Sequence, residues 1–414
     1  MAYRALTGLG LPFDLIRAED IKTGALNKYK MLFVPGGWAS NKIKALGETG
    51  AAAIRDFVSD GGSYLGFCGG AGLATTGKDG IGLLNIKRRP TKERVPSFSG
   101  KICLNITKHT MWDKLPPQPP LIKGGSNSEL RTPNSKLVFH AWWPSQFIID
   151  DDNIKILAKY GDALPDAFSS DLNVGDVGSD SRWEELEKVY QINLNPNRLK
   201  NEPAVIEGMY GKGKVILSLV HFDTPDDING QHVLLNLWEY LTGEQTDNRT
   251  QSTEHGRSRF IPSLEKGGRG GCDGVPEFFT MCAELISLGE RNFLWFWRNS
   301  MLLQWRRGVR GLEYNTLYIM MKAISVQIAE HRAQITDKQL DEIKDVLVPF
   351  VEKAKKLLLL ERHALQKGHI TYERCDDPEI KKLRIELFSE SKSHGGKFKE
   401  LLDEIDKLLF SLLT

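Results

Sequence analysis

The segment Ser63-Tyr64-Leu65-Gly66-Phe67-Cys68-Gly69-Gly70-Ala71-Gly72-Leu73-Ala74 narrows the possible folds more than any other stretch of this sequence. An apolar run short enough for a buried strand leads into Gly-x-Cys-x-Gly and then into small residues suited to a helix start. Strand, sharp turn and helix in that order are the building unit of an α/β sheet. A residue on such a turn has a strained backbone, so small neighbours are needed on both sides. The helix that follows directs unpaired N–H groups back at the turn, where they favour a thiolate. The Gly69 N–H is placed to hold an oxyanion. A cysteine taken alone is more often a buried, inert side chain.

Two further segments raise the reactive reading of Cys68. Phe33-Val34-Pro35-Gly36-Gly37-Trp38 is a buried strand ending in Pro-Gly-Gly. At the C-terminal edge of a parallel sheet such a loop exposes backbone N–H groups to the crevice where ligands bind, so Gly36 or Gly37 is a second candidate oxyanion donor. Ser218-Leu219-Val220-His221-Phe222-Asp223 is a strand ending on His-x-Asp. There His221 is a candidate acceptor for the Cys68 proton, and Asp223 a candidate to orient the imidazole. A turn after a strand and a structural histidine are the bland alternatives.

Around these segments the first half alternates short apolar runs with amphipathic stretches, the pattern of a parallel sheet with helices. Strands are expected at Pro12–Ile16, Lys30–Val34, Ser63–Phe67, Lys101–Thr107 and Lys136–Phe139. Asn41–Ser59 reads as a helix with Ile43, Leu46, Ala53, Ile54, Phe57 and Val58 on one stripe, stopped by Asp60-Gly61-Gly62. Pro116–Pro120 is expected to be a surface excursion and Ser169–Asp180 a loop. Pro203–Glu207 and Val215–Val220 form a hairpin, and Val233–Leu241 the closing helix. Ala2–Gly8 reads as the tail of a helix, so the first strand of such a sheet is expected to be lacking.

Residues 244–274 are polar and rich in Gly, Ser and Arg, and read as a linker. Lys266–Gly271 only superficially resembles a phosphate loop, because no strand leads into it. Residues 275–414 are expected to be an all-α bundle. Within it, Thr336-Asp337-Lys338-Gln339 is a capping box opening a helix, and Lys397–Leu413 repeats the helical stripe. Asn292–Arg310 holds consecutive aromatics among arginines. It is read as a bundle helix in preference to an interfacial membrane helix, because its aromatics are consecutive and cannot share one helix face. Such crowding leaves an exposed apolar patch, and a protein partner through 275–414, to be expected.

Composition removes several function classes. A net charge of +2 over 414 residues gives no electrostatic case for nucleic acid. Five widely spaced cysteines argue for reduced thiols and against a disulfide framework. With no C-x-x-C pair, and with His221, Asp223 and His232 lacking a suitably spaced third ligand, no metal is expected. No cofactor is implied. No apolar run reaches the roughly 20 residues of a membrane span and Met1 opens no signal pattern, so the expectation is a cytoplasmic protein.

The segments Leu32–Trp38, Gly66–Thr75, Phe139–Phe147 and Ala204–Asp223 together resemble the class I glutamine amidotransferase-like superfamily. Within it they resemble most the domain at the N-terminus of fungal biotin–protein ligases, also found as separate bacterial proteins. The resemblance runs from about Leu9 to Gly243. It implies an α/β fold, a flavodoxin-like parallel sheet flanked by helices over residues 1–243. It implies Cys68 as nucleophile, His221 as base, Asp223 as the orienting carboxylate, and Gly37 and Gly69 as the oxyanion hole. Trp38 and His140-Ala141-Trp142-Trp143 fall near the cleft of that fold, with Trp38, His140, Trp142 and Trp143 as candidate pocket residues. The implied substrate is a small-molecule amide. Two departures stand out: His221-Phe222-Asp223 replaces the usual His-Pro-Glu, and no ammonia-accepting synthase domain is recognisable. The alternative is a non-catalytic module that keeps the fold for binding a small molecule or a protein.

Overall fold

The structure, a computed structural model, describes residues 1–115, 137–178, 180–246, 274–331, 335–368, 375–391 and 394–414. The expected excursion at Pro116–Pro120 and the glycine-rich Lys266–Gly271 lie outside them. The chain divides into two compact units, Met1–Ser258 and Arg259–Thr414.

The first unit has helices α1 (Ala2–Gly8), α2 (Ala18–Lys22), α3 (Ala39–Ser59), α4 (Gly69–Leu73), α5 (Val174–Val177), α6 (Asp180–Tyr190) and α7 (Ile228–Thr242). Its strands are β1 (Met31–Val34), β2 (Ser63–Phe67), β3 (Ile86–Arg88), β4 (Phe98–Ile106), β5 (Leu137–Trp142), β6 (Phe147–Ile149), β7 (Lys155–Ala163), β8 (Phe168–Ser169), β9 (Leu172–Asn173), β10 (Pro203–Tyr210) and β11 (Gly213–Ser218). The expected α/β class holds, and the sheet is mixed. Only β1-β2-β11 run parallel. The order β1-β2-β11-β10-β7-β4-β8-β9, with β5 on β4, continues antiparallel. The parallel part needs cover on both faces, and β2 is buried at every position. α3 supplies part of that cover through Leu46, Ala51, Ile54 and Val58.

Two expectations for this unit are corrected. Pro12–Ile16 belongs to no helix or strand and pairs with no ladder. Leu11 is buried in the core and Phe13 and Ile16 pack against it, so these apolar side chains are accounted for by packing alone. Ser169–Asp180 is not a plain loop. It contains β9 and α5, the latter capped by the Asn173 side chain accepting from the Gly175 N–H at 3.0 Å. Val177 there joins Trp183 and Leu194 in a small separate core.

The second unit is helical: α8 (Gly274–Arg291), α9 (Gly311–His331), α10 (Asp337–Lys367), α11 (Pro378–Phe388) and α12 (Gly396–Leu413). The Thr336 capping box forms as read. Between α8 and α9, however, the expected helix over Asn292–Arg310 is a hairpin of β12 (Trp295–Asn299) and β13 (Leu302–Trp305). A strand resolves the crowding of aromatics because alternate side chains take opposite faces. Trp295 is buried while Phe296 is exposed. Trp295 and Trp297 meet Tyr314 and Tyr318 of α9. Trp295 also packs on Gly289, where a Cβ would lie 2.0 Å from its ring. Among the described residues no helix is long and apolar enough to cross a membrane.

This unit buries a charged pair. Arg384 Nε donates to one oxygen of Glu361 at 2.7 Å, while the other oxygen has no hydrogen-bond partner among the described residues. Burial pushes Glu361 up to about 7, against the attraction of Arg384 and Arg310 and with help from Glu313. The folded-state value lies above the ordinary 4.5, so folding favours the neutral acid. That contribution is full below about pH 4.5 and is lost as pH rises through about 7. Thermal unfolding followed by circular dichroism is expected to show this unit losing about 1–3 kcal/mol between pH 5 and pH 8. Glu361→Gln should flatten the slope; an unchanged slope in the variant removes Glu361 as its source.

Candidate active site

Phe67 at the end of β2 lies opposite Ser218 at the end of β11, so both strands deliver their following residues to one sheet edge. From β2 that residue is Cys68, and from β11 the chain passes Leu219 and Val220 to His221. β1 pairs with the other side of β2, Val34 opposite Gly66, and brings Pro35-Gly36-Gly37 to the same edge. Three segments far apart in sequence meet because their strands are neighbours.

Cys68 has φ +49° and ψ −101°, a conformation that costs a side chain of its kind about 1–3 kcal/mol. The turn is pinned on both sides. The Cys68 N–H donates to the Ser218 carbonyl at 2.8 Å, and its carbonyl accepts from the Gly72 N–H at 2.9 Å. The glycines after it are there for close approach. A Cβ on Gly69 would lie 1.7 Å from the Gly37 oxygen, and one on Gly70 would lie 1.9 Å from the Val34 oxygen. α4 therefore sits directly on the backbone of β1 and its loop. With five residues it carries a weak dipole, so the single Gly69 N–H directed at the sulfur matters more than the helix as a whole. Cys68 is half-buried; Cys103, Cys282 and Cys375 are buried.

His221 Nδ1 lies 3.0 Å from Asp223 Oδ1, and both residues are buried. Phe222 between them is sealed among Phe67, Phe139 and Trp112, an anchor that leaves its two neighbours facing each other. The His221 N–H donates to the His140 carbonyl at 2.8 Å. Thr224 Oγ1 donates to the His221 carbonyl at 2.9 Å and accepts from the Trp142 indole N–H at 3.0 Å. His221 Nε2 is buried with no hydrogen-bond partner among the described residues. It flanks the same small space as Cys68: a Cβ on Gly36 would lie 3.7 Å from Nε2, 2.9 Å from Cε1 and 3.6 Å from the Cys68 Cβ.

The charges of this group are coupled. Burial opposes a Cys68 thiolate, but His221, Arg88 and the Gly69 N–H outweigh it and hold the thiol below its ordinary value. Burial also opposes a charged imidazole, yet Asp223 and Cys68 raise His221 to about 10. Asp223, which burial would raise, is lowered by His221. These shifts favour a thiolate facing an imidazolium over the neutral thiol–imidazole pair. Cys282 is the contrast: with burial alone it is pushed up to about 12.

The candidate pocket residues divide. Trp38 is exposed and opens α3, and Trp143 is half-buried at φ +51°. His140 is half-buried, with Nδ1 2.8 Å from Asp227 Oδ2, and stacks on Trp142. Trp142 is fully buried and supports the His221 loop through Thr224. Gly37 takes φ +103° with its carbonyl against Gly69. Lys42 and Arg88, which no motif marked, also stand at this edge. Lys42 Nζ lies 3.7 Å from where a Cβ on Gly37 would be, and the Arg88 guanidinium carbon lies 2.4 Å from a Cβ on Gly72.

The family described as "Biotin-protein ligase, N terminal" matches residues 18–77. The chain is similar to that family over the strand, helix and turn that carry Cys68. No curated protein sequence matches the chain. A solved glutamine amidotransferase is 18% identical, with 59% of this chain and 93% of that chain covered and a TM-score of 0.34. A β-galactosidase from Bacillus circulans sp. alkalophilus is 14% identical over 59% of this chain and 26% of that one, TM-score 0.33. A cytoplasmic protein from Salmonella typhimurium LT2 is 15% identical over 58% and 82%, TM-score 0.30.

Because Gly36 leaves no room for a methyl group beside His221, Gly36→Ala should displace the imidazole and raise the Cys68 pKa by at least about one unit, roughly 1.4 kcal/mol. The pH dependence of alkylation at Cys68, read by peptide mass mapping, measures it; an unchanged profile would separate the two side chains.

Proposed function

We propose that the first unit is a cysteine-dependent amide hydrolase or amidotransferase-like domain, with Cys68 as nucleophile, His221 as proton carrier and Asp223 as the residue that holds the imidazole. The observation behind this reading is the half-buried thiol on a strained turn, beside a buried His–Asp pair whose outer nitrogen has no other partner. A structural histidine normally satisfies both ring nitrogens. Among the described residues this one meets Asp223 on one side, and on the other only Cys68 acts on it.

In the proposed reaction the Cys68 sulfur adds to a carbonyl carbon while the developing oxyanion accepts from the Gly69 N–H, with Gly37 as the second candidate donor. The carbon–nitrogen bond then breaks, and the leaving amine takes the proton held on His221. Water attacks the resulting thioester, giving one proton back through His221 and releasing the acid. Asp223 is shorter than the glutamate usual in the resembling superfamily. The 3.0 Å contact to Nδ1 is the geometry such a role requires. Trp38, His140 and Trp143 are proposed to border the substrate, and residues 275–414 to serve a protein partner.

At pH 7 Cys68 is expected to react with iodoacetamide at least tenfold faster than the chain's other thiols. His221→Ala should remove that advantage, and Asp223→Asn should lower it by a smaller factor. With p-nitrophenyl acetate, an acetyl group should accumulate on Cys68 alone and turn over only with His221 present. Equal reactivity of all thiols in the folded protein would end the catalytic reading and leave a binding module on the same fold.

A further inference from the structure

Lys42 and Arg88 at the Cys68 edge have no carboxylate within ion-pair distance among the described residues. Lys42 stands over the Gly37 loop, and the Arg88 guanidinium lies on Gly72, one turn beyond Cys68. Neither side chain makes a hydrogen bond or an ion pair within 4 Å among the described residues; the carboxylate whose charge reaches Arg88 is Asp79. Both side chains are half-buried. Arg94 joins them, its Nε donating to the Arg89 carbonyl at 2.5 Å.

Partly desolvated cations without a counter-charge are costly. Burial lowers the pKa of Lys42 and of Arg88, and the charge of Cys68 opposes that lowering in each. For Arg94, burial and then Arg88 bring it down to about 10. One thiolate and the more distant Asp79 do not balance three cations, and the thiolate is consumed once it forms a bond to carbon. A neutral amide would leave the cations unmatched, and a substrate with its own ammonium group would add a like charge to them.

We propose that the ligand of this site is an acyl compound with net negative charge, whose carboxylate or phosphate group is held between Lys42 and Arg88 while its carbonyl faces Cys68. This rests on the reading of Cys68 given above. Such an arrangement uses remote binding energy to position the carbonyl. It also explains why Gly72 is a glycine: Arg88 occupies the space of its side chain.

The test compares two alkylating reagents of nearly equal size, iodoacetate and iodoacetamide, at Cys68 of the full chain. Both are attacked by the same thiolate, so the ratio of their rates cancels the thiol's pKa and reports local charge alone. With a free thiol such as glutathione the anion is the slower reagent. At Cys68 the ratio is expected to be at least tenfold higher than for glutathione, to fall severalfold in Lys42→Gln and Arg88→Gln, and to reach the glutathione value in the double variant. It should also fall as salt is raised. A Cys68 ratio equal to that of glutathione, or one unchanged in the double variant, overturns the proposal. Malonate and inorganic phosphate as protectants against iodoacetamide then tell the two oxyacids apart, by which one slows alkylation at the lower concentration. The absolute iodoacetamide rate tests the nucleophile separately: a slow Cys68 with a high ratio would remove catalysis and keep an anion site.

Discussion

The turn at Cys68 depends on two backbones touching without side chains between them. α4 rests on the carbonyls of Val34 and Gly37 at distances that admit only hydrogen at Gly69 and Gly70. That contact fixes the direction in which β2 ends. With the hydrogen bond from Cys68 to Ser218, it holds a left-handed conformation that a cysteine would not adopt alone. Any methyl group in this seam would push α4 away, release the turn and send the sulfur elsewhere. The stability of the parallel sheet is thereby used to hold a locally unfavourable conformation, as expected where strain is concentrated at a site.

The surroundings of Cys68 work through charge. Its thiolate is opposed by burial and favoured by an imidazole, by an arginine and by a single N–H. His221 owes its raised pKa to Asp223 and to the sulfur itself, so each ionised group sustains the next. The aromatic cluster around Phe222 is what keeps these charges in register. Asp223 reaches Nδ1 at 3.0 Å on the far side of Phe222.

Much of this was legible from residue order. The glycines around Cys68, the Pro-Gly-Gly after β1 and the His-x-Asp after β11 each carry a local signal, because turns and strand ends impose composition on a few consecutive residues. The Asn292–Arg310 stretch shows where such reading fails. Its aromatics contradict a helical stripe, and the hairpin that accommodates them depends on Gly289 and Gly311 lying in the flanking helices. The Pro12–Ile16 segment shows the converse: a strand-like pattern arises from core packing with no ladder beside it. Lys42 and Arg88 carried no signal, since cations in stretches such as Asn41-Lys42-Ile43-Lys44 and Lys87-Arg88-Arg89 look like any solvated residues.

The sequence by itself determined the strand–turn–helix around Cys68, the α/β class of the first unit and the helical character of the second, because periodicity and small-residue requirements are local. Tertiary structure alone decided that β11 and β1 flank β2, that the sheet turns antiparallel beyond β11, and that His221, Gly36, Lys42 and Arg88 surround one sulfur. Those outcomes depend on which strands pair and which side chains lose water together, and such contacts join residues up to about half the chain apart.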